Sequence, residues 1–147
     1  MLTSMPRVGI VVPCYNHGIY LRDCLQSVLN QSYDNWVCIV VNDGSTDLTE
    51  QVALEFTQLD QRFKYHYQEN QGLSASRNKG IALTSSEFIL PLDADDMLEP
   101  DYIQKVLGLF QIKPEIKVGY SDYRYFGLKE RDEKLPTFSY KSFILKT

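Results

Sequence analysis

The sequence predicts a three-layer α/β protein, in which a mostly parallel β-sheet lies between helices on both faces. Two observations carry this prediction. Short runs of Val, Ile and other apolar residues alternate along the chain with stretches that have the spacing of amphipathic helices. The segments between successive runs are long enough for the helical crossovers that parallel strands require. The 147 residues, of which 44% are hydrophobic and 23% charged, suit a single globular domain.

Two strand–helix units are predicted in the first half of the chain. Residues 7–13 and 36–41 have the length and the apolar character of buried strands. The first run is followed by apolar residues at helical spacing, which are Leu21, Cys24, Leu25, Val28 and Leu29. After the second run, Asp47 and Glu50 have the spacing of a capping box. The helix that they would open has an apolar face made of Leu48, Val52, Phe56 and Leu59.

The second half of the chain continues this alternation. Residues 63–67 predict a short strand near a sheet edge, 73–83 a helix that Gly80 weakens, and 88–92 a fourth strand. Pro91 lacks the N–H that a strand in the sheet interior donates. Pro100 suits the first turn of a helix, whose buried face is expected to be Ile103, Val106, Leu107 and Phe110. Residues 117–126 predict a fifth strand, which gives the order β-α-β-α-β-α-β-α-β.

Charge and apolar content exclude several classes of protein. The formal net charge is −4 and no basic stripe is present, so we expect no nucleic-acid binding. The apolar runs 8–12 and 36–41 are far shorter than the roughly 20 residues of a membrane span, and the N-terminus lacks the features of a signal peptide. Cys14, Cys24 and Cys38 form no Cys-x-x-Cys pair and are interpreted as reduced, mostly buried thiols. We therefore expect a cytoplasmic protein.

Polar residues collect at the ends of four predicted strands. The clusters are residues 14–16, 42–47, 69–72 and 93–96. In an open parallel sheet the carboxyl ends of the strands lie along one edge, and ligands bind there. The four clusters are therefore expected to converge on one site.

The cluster Asp93-Ala94-Asp95-Asp96 is the most informative of the four. Three carboxylates within four residues repel one another unless a cation is present. Mg²⁺ and Mn²⁺ take oxygen ligands, commonly one or two carboxylates together with substrate phosphates. Asp-x-Asp therefore suggests a metal that holds a diphosphate in an otherwise acidic pocket. The alternative is a helix N-cap, where the helix dipole favours acids, but the three other clusters favour the metal.

Two further charged residues leave alternatives open. Asp43 precedes a glycine turn, where its carboxylate either bonds the local backbone or accepts a hydrogen bond from a ligand. Arg77 lies either on a solvated helix face or over the acidic pocket, where it would contact phosphate. His17 and His66 have no metal-ligand spacing and are interpreted as surface histidines. The motifs of P-loop NTPases, dinucleotide dehydrogenases, serine hydrolases and His-Glu-x-x-His metalloproteases are absent from the sequence.

The motifs VVPCYN (11–16), VNDGSTD (41–47), NQGLSASRNKG (70–80) and PLDADD (91–96), in this order and spacing, closely resemble those of the family 2 glycosyltransferases with the GT-A fold. The resemblance extends from about residue 8 to residue 110. It implies a Rossmann-like nucleotide-diphospho-sugar transferase fold and an inverting transfer of a sugar from a nucleoside diphosphate donor, above all a UDP-sugar, assisted by Mn²⁺ or Mg²⁺. Glycans, lipids and proteins are acceptors in this family, and polysaccharide or cell-envelope glycan synthesis is the expected setting. A homodimer and a peripheral membrane location of the full-length protein are compatible with the resemblance.

The resemblance also implies a nucleotide-sugar site. The positions that match the nucleoside pocket are Pro13, Tyr15 and Asn16, and Asp43 matches the acid that binds the base. Arg77 matches the basic residue near the base and the phosphates. Asp93 matches the acid near the ribose and the metal, Asp95 matches the metal ligand, and Asp96 supports this pair. In the family the metal neutralises the departing diphosphate. This chemistry would explain how an acidic domain binds an anionic donor.

Two departures from the family pattern matter. Asn42 stands where members often have Asp, which is a common variation. An inverting reaction needs a downstream Asp or Glu that deprotonates the acceptor hydroxyl. The acids available in this part of the chain, Asp122, Glu130, Asp132 and Glu133, do not lie in a matching segment, so no catalytic residue is identified and the base is expected beyond residue 147. We expect one domain over 1–147, with a donor-binding core at about 7–126 and the start of an acceptor half at 127–147, and little or no activity of this chain alone.

Three other functions stay open from the sequence. A non-catalytic nucleotide-binding or interaction module would keep the donor half and lack the base. A phospho-acceptor receiver domain would need acids at the end of the first strand, where residues 14–16 offer none. A nucleotidyltransferase would carry a glycine-rich, basic loop after that strand, which this sequence also lacks.

Overall fold

A computed structural model describes residues 7–113, 115–127 and 130–135. The chain divides into two compact units, residues Met1–Leu107 and Gly108–Thr147. The N-terminal residues 1–6 and most of the expected acceptor segment, 127–147, lie outside the described residues. No helix of the described ranges is long and apolar enough to cross a membrane.

The first unit is built on a four-stranded sheet with every neighbouring pair parallel. Its strands are β1 (Val8–Cys14), β2 (Trp36–Asp43), β3 (Phe63–Gln68) and β4 (Phe88–Pro91), in the spatial order β3-β2-β1-β4. The helices that follow them are α1 (Gly18–Leu29), α2 (Thr49–Leu59), α3 (Leu73–Ala82) and α4 (Tyr102–Ile112). The predicted alternation of strands and helices over this part of the chain is confirmed.

Helices cover both faces of this sheet. The larger core joins alternate residues of β1 and β2, such as Ile10 and Val40, to Leu25 of α1, Phe56 of α2 and Ile103 of α4. Val37, Ile39 and Val41 of β2 form a separate cluster, because successive residues of a strand point to opposite faces. On that second side α3 lies directly on β1, and a Cβ atom added to Gly80 would stand 2.2 Å from Cγ1 of Val11. The predicted three-layer α/β arrangement is therefore confirmed.

The position of each strand in the sheet explains its sequence. The central strands β1 and β2 are buried along their whole length and have almost only apolar residues. The outer strands β3 and β4 mix buried and exposed residues, and β3 was predicted near an edge. Pro91 is compatible with β4 because β4 lies at an edge and ends at this residue.

The prediction of a fifth strand in the parallel sheet is wrong. Within 117–126 only Tyr123–Tyr125 forms a strand, β5, which pairs antiparallel with β6 (Arg131–Glu133) in the second unit. Every residue of β5 is exposed, whereas a strand of a covered parallel sheet is buried on both faces. An exposed ion pair joins the two strands, since Nε of Arg124 donates to Oδ1 of Asp132 at 2.6 Å.

Two helix faces also differ from the sequence prediction. Leu48 and Leu59, expected on the buried face of α2, are 56% and 65% exposed. The capping box is not formed, because Asp47 bonds the N–H of Thr49 two residues ahead and the helix begins one residue later than predicted. In α4 only Ile103 and Leu107 are buried, and the other two predicted core residues, Val106 and Phe110, are half-buried.

Candidate functional site

The four predicted polar clusters meet at the carboxyl edge of the sheet, as expected. They line one cleft of about 450 Å³. The lining residues are Pro13, Cys14, Tyr15 and His17 after or at the end of β1, Asp43 at the end of β2, Asn70, Gly72, Leu73 and Ser76 after β3, and Asp93, Ala94 and Asp95 after β4. Among the sequence-predicted site residues, Pro13, Tyr15, Asp43, Asp93 and Asp95 thus lie together.

Asp43 is held by hydrogen bonds from the segment that leads into α3. Its side chain is only 3% exposed. Oδ1 accepts hydrogen bonds from Nε2 of Gln68 at 2.7 Å and from the N–H of Gln71 at 2.9 Å, and Oδ2 accepts one from the N–H of Gly72 at 2.8 Å. Burial raises the pKa of Asp43, but these donors, together with Ser76, outweigh burial and the net pKa is lowered. Asp43 is therefore a stably ionised carboxylate on the wall of the cleft.

The interpretation of Asp43 as a residue that bonds its own turn is wrong, because the backbone N–H groups that it accepts belong to Gln71 and Gly72, while Asn42 accepts the N–H of Ser45 in the turn. Its carboxylate bonds backbone N–H groups at the start of α3, where Gly72 adopts a positive φ of 88° that glycine tolerates without strain. The same residue lines the cleft. Gln68 and Ser76 were not predicted. They bond each other at 3.2 Å, and Gln68 fixes Asp43 from a position 25 residues away along the chain.

Asn16 joins the loops that follow β1 and β2. It adopts a positive φ of 55°. Its Oδ1 accepts a hydrogen bond from the N–H of Thr46 at 2.9 Å, and its own N–H donates to Oγ of Ser45 at 3.0 Å. Asn42 then accepts from the N–H of Ser45 at 2.9 Å and donates to the hydroxyl of Tyr65 at 3.0 Å. The structure therefore places the Asn16 amide in this network and not among the residues that line the cleft.

Asp47 fixes the starts of α1 and α2 relative to each other. Its Oδ2 accepts a hydrogen bond from the N–H of Gly18 at 2.8 Å, and its Oδ1 accepts from the N–H and the hydroxyl of Thr49 at 3.0 Å and 2.6 Å. A side chain at position 18 has no room, because a Cβ there would lie 2.6 Å from the backbone nitrogen of Thr49. The β1–α1 loop is thus bonded to the β2–α2 loop at Gly18, as it is at Asn16.

Arg77 pairs with Asp93. Nη2 of Arg77, on α3, lies 2.6 Å from Oδ1 of Asp93, and the two side chains are 35% and 43% exposed. Nε of Arg77 is buried and has no hydrogen-bond partner among the described residues. Arg77 does not line the cleft itself but reaches it through Asp93, which does.

Asp93 and Asp95 present carboxylates to the same cleft. No group of three His, Cys, Asp or Glu side chains in the described ranges is arranged to hold a metal without other ligands. Burial and the charges of Asp95 and Asp93 raise the pKa of Asp96, which shows that negative charge accumulates in this loop. Two oxygen donors in an acidic loop fit Mg²⁺ or Mn²⁺ only when substrate phosphates and water complete the coordination.

His17 is a cleft residue that the sequence prediction missed. It was interpreted as a surface histidine, and it is exposed, but its position directly after the first cluster brings it into the lining. Its ring lies edge-on to Tyr20 with 5.9 Å between the ring centroids. The signal that could have identified it is its place three residues after the end of a parallel strand. His66 lies within β3 and does not line the cleft.

Comparison with known sequences gives one family. The family described as Glycosyl transferase family 2 matches residues 9–146. EpsH of Bacillus subtilis (strain 168), which is named provisionally as a glycosyltransferase, is 49% identical to this chain over 102 residues. The match covers 69% of this chain and 30% of EpsH. TuaG of the same organism, named provisionally as a teichuronic acid biosynthesis glycosyltransferase, is 35% identical over 108 residues, which is 73% of this chain and 43% of TuaG. The chain therefore spans less than half the length of either relative.

Solved structures agree with the sequence comparison. The crystal structure of S. aureus TarS 1–349 in complex with UDP-GlcNAc has a TM-score of 0.67 and 25% sequence identity to this chain. The similarity covers 72% of this chain and 31% of TarS 1–349. The shared fold therefore accounts for most of this chain and about a third of that structure.

Proposed function

Because the chain belongs to glycosyltransferase family 2, we propose that it is the donor-binding part of an enzyme that transfers a sugar from a nucleoside diphosphate to an acceptor hydroxyl. One observation carries the proposal. The four loops at the carboxyl edge of the sheet form a single cleft, which has a buried, ionised carboxylate on β2 and two further carboxylates after β4. A nucleoside diphosphate has N–H and hydroxyl groups that donate hydrogen bonds and phosphates that bind a cation. The carboxylate on β2 suits the donors, and the two carboxylates after β4 suit the cation.

The donor is proposed to be a UDP-sugar. TarS, which is 25% identical to this chain, is known in complex with UDP-GlcNAc, and this supports a uridine donor here. Pro13 and Tyr15 would contact the nucleoside, and Asp43 would accept a hydrogen bond from the base. Asn16 would act on the same pocket through the loop network, since its amide is bonded to Thr46.

Asp95 and Asp93 would hold Mn²⁺ or Mg²⁺ together with the diphosphate. When bound, such a cation neutralises charge on the departing diphosphate. The residues of this chain prepare that end of the cleft, because Arg77 fixes one carboxylate oxygen of Asp93 at 2.6 Å. Asp95, which is exposed, keeps its carboxylate available to a cation.

Inversion at the sugar carbon and the nature of the acceptor are further parts of the proposal. The acceptor hydroxyl needs a carboxylate base, which we place outside the donor-binding cleft. In the second unit Asp132 is paired with Arg124, and Asp122 accepts the N–H of Leu135.

We expect little or no turnover from the 147-residue chain alone. A transfer assay with robust turnover would overturn that expectation, and binding without any transfer in a longer chain would favour a non-catalytic nucleotide-binding module.

The cellular setting is proposed from the relatives. TuaG is named for teichuronic acid biosynthesis, which supports a role in cell-envelope or other polysaccharide synthesis with a glycan, lipid or protein acceptor. A cytoplasmic site of action, peripheral to the membrane in the full-length protein, would suit such a role. A homodimer is compatible with it.

Calorimetric titration of the 147-residue chain tests the donor site. UDP, UDP-GlcNAc and GDP are titrated with and without Mn²⁺ into the wild type, Asp95→Asn and Asp101→Asn. Asp101 is the matched control, because its carboxylate pairs with Lys105 on α4 and does not line the cleft. We expect UDP binding that Mn²⁺ strengthens in the wild type and in Asp101→Asn, and no effect of Mn²⁺ in Asp95→Asn. A chain that is folded by circular dichroism and binds no nucleotide would contradict the proposed function.

A further inference from the structure

We propose that His17 binds the diphosphate of the donor through a ring N–H, an inference that rests on the proposed function. His17 lines the cleft together with Asp93 and Asp95. Neither of its ring nitrogens has a hydrogen-bond partner among the described residues. A neutral imidazole has one N–H donor and a protonated one has two, so the ring can bond a phosphate oxygen in either state.

The charged groups of the cleft show which lining side chain could donate to an anionic ligand. The charged lining residues are Asp43, Asp93 and Asp95, and the lining contains no Lys or Arg. Arg77 does not line the cleft, and its Nη2 is bonded to Oδ1 of Asp93. His17 is therefore the basic side chain of the lining, and it can donate to an anion without first breaking an ion pair.

The sheet order places the loop that contains His17 between the loops that contain Asp43 and Asp93. β1 lies between β2, which ends in Asp43, and β4, which leads to Asp93. The helix that His17 precedes packs on the loop after β4, because Sγ of Cys24 lies 3.6 Å from the carbonyl oxygen of Asp93. Oγ of Ser27 on the same helix accepts the N–H of Leu98 at 3.0 Å.

The backbone at His17 is fixed before any ligand binds. Its carbonyl oxygen accepts the N–H groups of Tyr20 and Leu21, each at 3.0 Å. The next residue, Gly18, is bonded to Asp47 and has no room for a side chain. The edge-on contact with Tyr20 supports the ring itself. A donor that is positioned in this way loses little conformational entropy when it binds a ligand.

The test compares a ligand that has the diphosphate with one that lacks it. Affinities for UDP and for uridine are measured by NMR titration on the wild type, His17→Ala, His17→Gln and His66→Gln, because NMR reaches the weak affinity expected of a nucleoside. His66 is the matched control, since the chain has only two histidines and this one does not line the cleft. If GDP is the preferred nucleotide, GDP and guanosine replace this pair.

We expect His17→Ala to weaken UDP binding about tenfold and to leave uridine binding within about twofold of the wild type. His17→Gln keeps an N–H donor and should recover part of the loss, and His66→Gln should match the wild type for both ligands. An equal loss for UDP and uridine would show that His17 only shapes the loop and would overturn the proposal. So would unchanged UDP binding in His17→Ala. If the folded wild type binds neither ligand, the proposed function fails instead, and the role of His17 fails with it.

Discussion

The guanidinium of Arg77 binds the carboxylate of Asp93 with 2.6 Å between Nη2 and Oδ1. This ion pair connects α3 to the loop that follows β4. The start of the same helix is held by Asp43, which accepts the N–H of Gly72 at 2.8 Å. Through α3, the carboxylate on β2 and the carboxylate after β4 are thus parts of one framework around the cleft.

Removing the Arg77 guanidinium should affect binding more than stability. Both side chains of the ion pair are more than a third exposed, so the pair contributes only about 0–1 kcal/mol to folding. Arg77→Ala nevertheless releases Asp93, and we expect UDP affinity in the presence of Mn²⁺ to fall about tenfold or more. Calorimetry and urea unfolding measure the two effects.

Arg22→Ala is the matched control for Arg77→Ala, because Arg22 forms an exposed ion pair with Glu55 and does not line the cleft. It should bind UDP as the wild type does. Arg77→Lys should not restore full affinity, since an ammonium lacks the planar, forked donors of the guanidinium. Wild-type affinity in Arg77→Ala would show that Asp93 needs no partner.

Asp43→Asn should destabilise the chain, and the difference from the wild type should depend on pH. The folded pKa of Asp43 is below its ordinary 3.8, because donors from Gln71, Gln68 and Gly72 outweigh the effect of burial. The unfolded chain therefore binds the proton more tightly. The stability that the carboxylate contributes is fully present above about pH 5 and is lost as the pH falls through the folded pKa.

At pH 7 we expect Asp43→Asn to lower the free energy of unfolding by about 1–3 kcal/mol, because an amide N–H₂ would meet donors that now face a carboxylate oxygen. Urea unfolding from pH 7 down to the lowest pH at which the wild type is folded measures how the difference shrinks below about pH 4. Asp23→Asn, on the exposed side of α1, controls for the loss of one charge. A difference that stays constant at all pH values would contradict the linkage.

The central strands were predictable because two local signals agree in them. β1 and β2 are buried on both faces, which requires an unbroken apolar run, and the helices that follow have one apolar stripe each. The segment 117–126 has aromatic residues of strand character but also Ser121, Asp122 and Arg124, which do not suit a doubly covered strand. Its pairing with 131–133 could not be predicted from periodicity, because these two strands are almost wholly exposed and have no buried face.

The site was predictable at the level of loops and less so at the level of side chains. The rule that strand ends of a parallel sheet share an edge placed four clusters together, and the structure agrees. The direction of each side chain depends on partners that are distant in the sequence. Asn16 bonds Thr46, 30 residues away, and Asp43 bonds Gln68, 25 residues away. Spacing along the chain carries no information about such contacts.

Gly80→Ala should destabilise the chain although alanine favours helices. The sequence predicts that Gly80 weakens α3, and the structure shows the reason for a glycine there. A Cβ at this position would lie 2.2 Å from Cγ1 of Val11, a fully buried and β-branched residue that cannot rotate away. We expect a loss of about 1–3 kcal/mol in the free energy of unfolding, measured in urea.

Gly108→Ala is the matched control for Gly80→Ala. Gly108 also lies within a helix, α4, but nothing lies within 4 Å of a Cβ added to it. Its replacement should be neutral or stabilising by up to about 1 kcal/mol. If Val11 is the obstacle, Val11→Ala should make room for the new methyl group. The double variant should then lose less free energy of unfolding than the two single variants together. Equal effects of the two glycine substitutions would show that helix propensity outweighs the contact.

The three thiols should resist alkylation in the native state. Cys14, Cys24 and Cys38 are buried and form no disulfide, as the sequence predicted. Burial raises the pKa of each thiol, which lowers the fraction of reactive thiolate at pH 8. Mass spectrometry after treatment with iodoacetamide should find the native chain largely unmodified and all three sites modified in urea.

The order in which the three thiols are alkylated should follow their access to the reagent and not their position in the sequence. Cys14 lines the cleft, whereas Cys38 is completely buried at the centre of the sheet. Cys14 is therefore expected to react first as the exposure to reagent is prolonged. Bound UDP with Mn²⁺ should slow its modification, because the nucleotide would cover the part of the cleft that Cys14 lines. Protection of Cys38 or Cys24 without protection of Cys14 would place the nucleotide away from this cleft.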